Sequence, residues 1–322
     1  MNPRLTQLLP PVRALMRRLP PAVPARQRRL AGARATVDGI DYVLPVNSEP
    51  SPVLMAAFPV DARAAAALLP GAELHPVRLP GGKGILMVTV IDYQATDIGA
   101  YIEYSLAIAV TRGARPAPPV LPLLLQKPLD FGQYVVDLPV STEVSVKGGK
   151  GIWGMPKHQA SLDFRVSGTT VSSAYEIDGV QGALVEIDRP PATALPVKIR
   201  AVNYCTFRGM LYASTIYFAG TADVAFGRAA RARLEFGPLP QVAGLAGLRV
   251  GEKPLFTVYI PDSHGVLDDH VESWFQYGRH QVPDGGDGLD SVAHLGQGEA
   301  WPDPPRRAGR RAGPPAGREV PR

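Results

Sequence analysis

The sequence predicts a mainly β protein with a few short helices, its strands forming a single antiparallel β-barrel or cone-like domain. Three observations carry this expectation. The zone from "VDGIDYVLPV" to "VESWFQYG" is rich in β-branched and aromatic residues. Gly and Pro clusters punctuate it at short intervals, the pattern of many strands joined by turns. Only two stretches within it read as helical, too few to cover the faces of a parallel sheet.

Taken in order, "KGILMVTVIDYQ" follows the turn "LPGG" and is long enough for a buried strand. "AYIEYSLAIAVTR" alternates: Ile102, Tyr104, Leu106, Ile108 and Val110 fall on one face, and Glu103, Ser105, Ala107 and Ala109 on the other. "STEVSVKGG", "ASLDFRVSGTTVSSAYEI", "LPVKIRAVNY", "ADVAFG" and "EKPLFTVYI" continue the strand series. Ser141 and Ser145 alternate within the first of these and need no role beyond it. The glycines of "PGGKG" (80–84) and "KGGKG" (147–151) read as hairpin turns, where positive φ costs glycine little. Both segments lack the final Lys-Ser/Thr step of a phosphate-binding loop. The helical candidates are "PVDARAAAALLP", capped by Asp61, and a short one near "LDDHVESWF". The domain is expected over 38–287, between an Arg/Pro-rich, loosely structured extension (1–37) and a disordered Pro/Gly/Arg-rich tail (288–322).

Charge is distributed unevenly. The net charge is +5, yet residues 1–37 contribute +8 and residues 300–322 contribute +4, which leaves −7 for 38–299. A nucleic-acid-binding fold would carry its basic patch on the folded zone, so nucleic acid is not an expected partner. The longest apolar run, "VLMAAFPVDARAAAALL", is broken by Asp61 and Arg63, well short of the roughly 18 apolar residues of a membrane helix. The expected location is cytoplasmic. The single cysteine, Cys205, permits no internal disulfide and lies in an apolar stretch suited to a buried, inert thiol. His264 and His270, near Asp262, Asp268 and Asp269, lack a recognised ligand spacing. No metal and no cofactor are expected.

One residue stands out. Lys157 follows the apolar, glycine-broken run Ile152-Trp153-Gly154-Met155-Pro156. An unprotonated lysine attacks ketones and aldehydes to form a Schiff base, and the iminium then accepts electrons from a breaking carbon–carbon bond. At an ordinary pKa of about 10.4, roughly one amine in 2500 is free at pH 7. Dry surroundings or a nearby cation raise that fraction, and Trp153, Met155 and His158 are positioned in sequence to supply them. A lysine that buries only its stem and reaches water with its tip is the alternative.

"GMPKHQASLDF" resembles the segment around the Schiff-base lysine of the acetoacetate decarboxylase family, with Lys157 in the place of that lysine. "DIGAYIEYS" is similar to the family's Gly-x-Tyr-x-Glu segment, which puts Tyr101 and Glu103 on its tyrosine and active-site glutamate. "LEFGPLP" and "LFTVYIPDSHGVLDD" resemble its closing segments, and "RGARPAPPVLPLLLQKPLDFGQY" resembles an inserted hairpin or loop. The resemblance implies the family's β-barrel, a keto-acid substrate and a homo-oligomer. It also implies Lys157 and Glu103 as catalytic residues, in a pocket shaped by Trp153, Met155, His158 and Tyr101. Departures are equally plain. The family's Pro-Lys-Lys is Pro-Lys-His here, its arginine falls near Ser51, and its earlier glutamate falls near Val88 or Thr89. Arg208, in "TFRGML", is the candidate to replace the missing guanidinium. The expected activity is a Schiff-base lyase that decarboxylates a β-keto acid. The alternatives are aldol or dehydration chemistry on the same lysine, and a non-catalytic barrel holding an apolar ligand.

Overall fold

The computed structural model of the chain describes residues 32–268 and 270–275. Seventeen strands account for most of them. The first seven are β1 (Ala33–Val37), β2 (Ile40–Leu44), β3 (Val46–Asp61), β4 (Leu74–Pro76), β5 (Lys83–Tyr93), β6 (Tyr101–Arg112) and β7 (Phe131–Val140). After them come β8 (Lys157–Gln159), β9 (Ser161–Leu162), β10 (Arg165–Val166), β11 (Thr170–Ile177) and β12 (Val180–Asp188). The last five are β13 (Leu195–Phe207), β14 (Met210–Phe226), β15 (Ala232–Phe236), β16 (Phe256–Leu267) and β17 (Glu272–Phe275). Four short α-helices interrupt them: α1 (Ala62–Ala67), α2 (Leu121–Leu124), α3 (Glu143–Trp153) and α4 (Pro240–Ala246).

Strands β6-β5-β3-β16-β14-β13-β7 pair in that order, and β7 returns to β6, closing a seven-stranded barrel. The expected all-antiparallel sheet is corrected at one place. β7 runs parallel to β13 and to β8. A parallel neighbour needs a crossover rather than a hairpin, and α3 is the crossover from β7 to β8. A second sheet, β10-β11-β12-β15 with β9 on β11, covers one flank of the barrel. The main core lies between them: Tyr104, Leu106, Ile108 and Val110 of β6 share one cluster with Tyr175 of β11 and Val185 and Ile187 of β12. The alternation read in β6 therefore has a physical origin. Its apolar face meets the second sheet, and its other face, with Glu103 and Ser105, looks into the barrel lumen.

The Asp61 cap is present, its carboxylate accepting from the backbone N–H groups of Arg63 and Ala64, both at 2.9 Å. Gly81 and Gly82 have φ of 73° and 70°, as a turn leading into β5 requires. Three expectations need correction. "STEVSVKGGKG" is helix α3, not a strand followed by a turn. Near "LDDHVESWF" the structure has β17, paired with β14, in place of a helix. The loose extension ends earlier than residue 37, since Ala33–Val37 form β1 against β2. The expected tail (288–322) and most of the extension lie outside the described residues. Among those described, no helix is long and apolar enough to cross a membrane.

Candidate active site

The site begins with the end of α3. Gly154 takes a left-handed conformation, φ 65°, and its N–H and that of Met155 bond back to the carbonyls of Lys150 and Gly149, a glycine-capped helix end. The chain reverses through Met155 and Pro156 into β8, where Lys157 pairs with Leu138 of β7. The lysine stem then runs across the helix at Gly149. A Cβ there would sit 2.3 Å from Lys157 Cδ, so only glycine leaves room for it. The same reason holds one residue earlier, where Gly148 lies against Tyr42 of the β1–β2 hairpin.

Lys157 is 3 % exposed. Its Nζ lies 2.7 Å from Glu103 Oε2 and donates to Ser145 Oγ at 2.9 Å. The Tyr101 ring centroid is 5.3 Å away. Tyr101 stacks on Tyr93 with centroids 4.6 Å apart and is hydrogen-bonded to Ser145 and Tyr93. Burial, reinforced by the Glu103 charge, pushes both phenols well above their ordinary range. They remain neutral O–H groups at any physiological pH. An ammonium and a carboxylate taken out of water together are tolerable only with such close pairing and extra hydrogen bonds.

These groups face a cavity of about 80 Å³ inside the barrel, against roughly 10–15 Å³ for one water on the same measure. Its apolar wall includes Met55, Val135, Ile199, Ile216 and Phe218. Thr89 faces it too, while its neighbour Val88 is in the core.

Of the residues singled out in the sequence, Lys157, Glu103, Tyr101, Trp153 and Met155 meet in this lumen. The Trp153 indole is fixed by donating Nε1–H to the carbonyl of Asp268 at 2.9 Å. His158 does not join them. Strand alternation turns it to the opposite face of β8, where its Nε2 is 2.7 Å from Asp137 Oδ1. Tyr175 Oη donates to the other oxygen of that buried carboxylate at 2.6 Å. Arg208 is also elsewhere, in the β13–β14 turn with φ 50° and its guanidinium over Phe207. Two features went unread in the sequence. Ser145 reaches the lysine because α3 is a helix, and Gln133 and Asn203 face the lumen from β7 and β13. The pairing of Thr142 with Glu143, a helix-start signal, was the clue to the first. Cys205 is buried, which raises its thiol pKa well above the ordinary range. Among the described residues no three His, Cys, Asp or Glu side chains converge as metal ligands.

No curated protein matches the sequence. Among solved structures, an acetoacetate decarboxylase from Legionella pneumophila is 15 % identical, with 70 % of this chain and 85 % of that one covered and a TM-score of 0.49. The enduracididine biosynthesis enzyme MppR, complexed with pyruvate, is 17 % identical, with coverages of 71 % and 90 % and a TM-score of 0.49. An acetoacetate decarboxylase-like enzyme from Sphingomonas wittichii RW1 is 16 % identical, with coverages of 72 % and 94 % and a TM-score of 0.47. The family model described as acetoacetate decarboxylase matches residues 37–196, a span that contains Glu103, Ser145 and Lys157. On that match, the chain belongs to the acetoacetate decarboxylase family.

Proposed function

We propose that this protein is a Schiff-base-forming carbon–carbon lyase that decarboxylates a β-keto acid through an iminium on Lys157. The observation that carries the reading is a buried lysine amine, 2.7 Å from a carboxylate, facing a mostly apolar cavity in the barrel lumen. In the proposed cycle Glu103 takes a proton from the Lys157 ammonium, and the freed amine adds to the ketone carbon. Glu103 returns the proton as the hydroxyl of the carbinolamine leaves as water. The resulting iminium accepts the electron pair of the carbon–carboxylate bond, CO2 departs, and an enamine remains. Protonation of the enamine carbon and addition of water then release the ketone and the amine. Ser145 holds the amine by accepting one of its N–H bonds. The neutral phenol of Tyr101 supports Ser145 in turn.

A second reading keeps the same amine and cleaves a β-hydroxy ketone by retro-aldol reaction. The lumen favours it in one respect: among the described residues lining the cavity, the charged side chains are Lys157 and Glu103, already paired with each other. Carbon dioxide release from 3-oxohexanoate, compared between the protein and Lys157→Arg, separates the two. Release that depends on Lys157 supports decarboxylation. Lys157-dependent cleavage of the β-hydroxy ketone 4-hydroxy-2-pentanone, without Lys157-dependent CO2 release from 3-oxohexanoate, supports the second reading, and equal CO2 release by both proteins refutes the first.

A further inference from the structure

Most of the lumen wall takes no part in the Schiff-base pair, and its polar groups are neutral. Where β7 and β13 pair in parallel, Gln133 stands beside Asn203, and Gln133 Nε2 donates to Asn203 Oδ1 at 2.8 Å. Both face the cavity that holds Lys157. This contact uses one amide donor and one amide acceptor. The carbonyl of Gln133 and the amide nitrogen of Asn203 remain as an adjacent acceptor and donor. Gln133 lies five residues along β7 from Leu138, the partner of Lys157, which is at most about 16 Å of strand. The same wall carries Val135 of β7, Met55 of β3, Ile199 of β13, and Ile216 and Phe218 of β14.

A second charge on a bound substrate would have no counter-ion on this wall. Burying an unpaired carboxylate is strongly unfavourable, whereas a hydrocarbon chain matches the aliphatic side chains. An adjacent donor and acceptor suit a hydroxyl, which both accepts and donates, and the Asn203 donor alone suits a carbonyl oxygen, which only accepts.

We propose that the lumen selects carbonyl substrates whose non-reacting end is an uncharged, mainly hydrocarbon chain of a few carbons, and that the Gln133–Asn203 pair reads a neutral hydroxyl or carbonyl on that chain. This rests on the Schiff-base reading of Lys157. Under decarboxylation, the only charge on the substrate is then the carboxylate that leaves. The cavity volume fits a chain of about six heavy atoms.

Two matched six-carbon acids provide the test. 3-Oxohexanoate ends in a methyl group, and 3-oxoadipate differs in ending in a second carboxylate. Each is incubated with the full chain and reduced with borohydride, and the adduct on Lys157 is quantified by mass spectrometry. The expected result is adduct formation at least about tenfold faster with 3-oxohexanoate. Labelling within about threefold for the two acids overturns this proposal and leaves the Schiff-base chemistry standing. Absence of any adduct with both acids and with 2-hexanone overturns the Schiff-base reading and the proposal with it.

The amide pair is tested by Gln133→Leu. In that variant the rate for 6-hydroxy-3-oxohexanoate is expected to fall at least fivefold relative to 3-oxohexanoate. An unchanged ratio overturns the role of the pair. Should Gln133→Leu fail to fold, the near-isosteric Gln133→Met is compared on the same two substrates, where the same fivefold fall is expected and an unchanged ratio is contradictory.

Discussion

Replacing Gly149 by alanine should separate the chemistry from the fold. A methyl group at this position would lie 2.3 Å from Lys157 Cδ, 2.8 Å from Cε and 3.0 Å from Cγ. Carbon atoms in ordinary contact are about 3.5–4.0 Å apart, so the lysine stem must retreat by about 1 Å or more. The amine then loses its 2.7 Å contact with Glu103 and its 2.9 Å hydrogen bond to Ser145. A displacement of about 1 Å at a reacting group costs about 100-fold in rate. The helix is affected in the opposite sense, since alanine is favoured over glycine in a helix interior by about 1 kcal/mol. The variant should therefore fold, with a melting temperature within a few degrees of the parent, and form the borohydride-trapped adduct about 100-fold more slowly. Adduct kinetics measured alongside thermal denaturation give both quantities. Gly149→Ala with parental adduct kinetics would refute the claim that this glycine exists to seat the lysine.

The remaining expectations concern neighbouring groups. Ser145→Ala removes the acceptor that fixes the amine; adduct formation should slow by about tenfold with little loss of stability, and a rate equal to the parent's counts against the positioning role. Asp137→Ala leaves His158 and Tyr175 without their shared buried partner, and urea unfolding should show a loss of about 2–4 kcal/mol. The folded fraction of that variant should still form the Lys157 adduct, because the carboxylate lies on the far face of β8; complete loss of labelling in folded protein would contradict this. Cys205 is buried, which raises its thiol pKa, so the thiolate is scarce at pH 8 and becomes accessible only on unfolding. Iodoacetamide at pH 8 should modify it in urea and not in the native protein, and rapid native alkylation would show the packing to be wrong.

The sequence made some of this arrangement readable and hid the rest for identifiable reasons. Glu103 was placed correctly opposite Tyr104 and Leu106 because one face of β6 is buried and the other lines the lumen, a situation in which period-two alternation is unambiguous. Lys157 stood out through its apolar flanks and its resemblance to a family segment. The helix α3 was hidden because glycine at 148, 149 and 151 lowers helix propensity and mimics a turn. Those glycines answer to close approach instead: Tyr42, Lys157 and Val37 lie against them, respectively. The role of Ser145 was lost with the helix. His158 was misassigned to the pocket from adjacency in sequence, although a strand sends neighbouring side chains to opposite faces. Arg208 was chosen for its charge alone, and nothing local showed that it occupies a turn. The Gln133–Asn203 pair depends on a parallel contact between strands about 70 residues apart, which no local pattern encodes.

If the Lys157 amine captures a carbonyl carbon, peptide mapping after borohydride reduction will show the bond it forms. Incubation with a ketone substrate should add the mass of the ketone, less its oxygen, to the peptide containing Lys157. No such addition should occur without the ketone or in Lys157→Arg. An unmodified Lys157 peptide across a panel of ketones and keto acids, or modification confined to other lysines, would contradict the account.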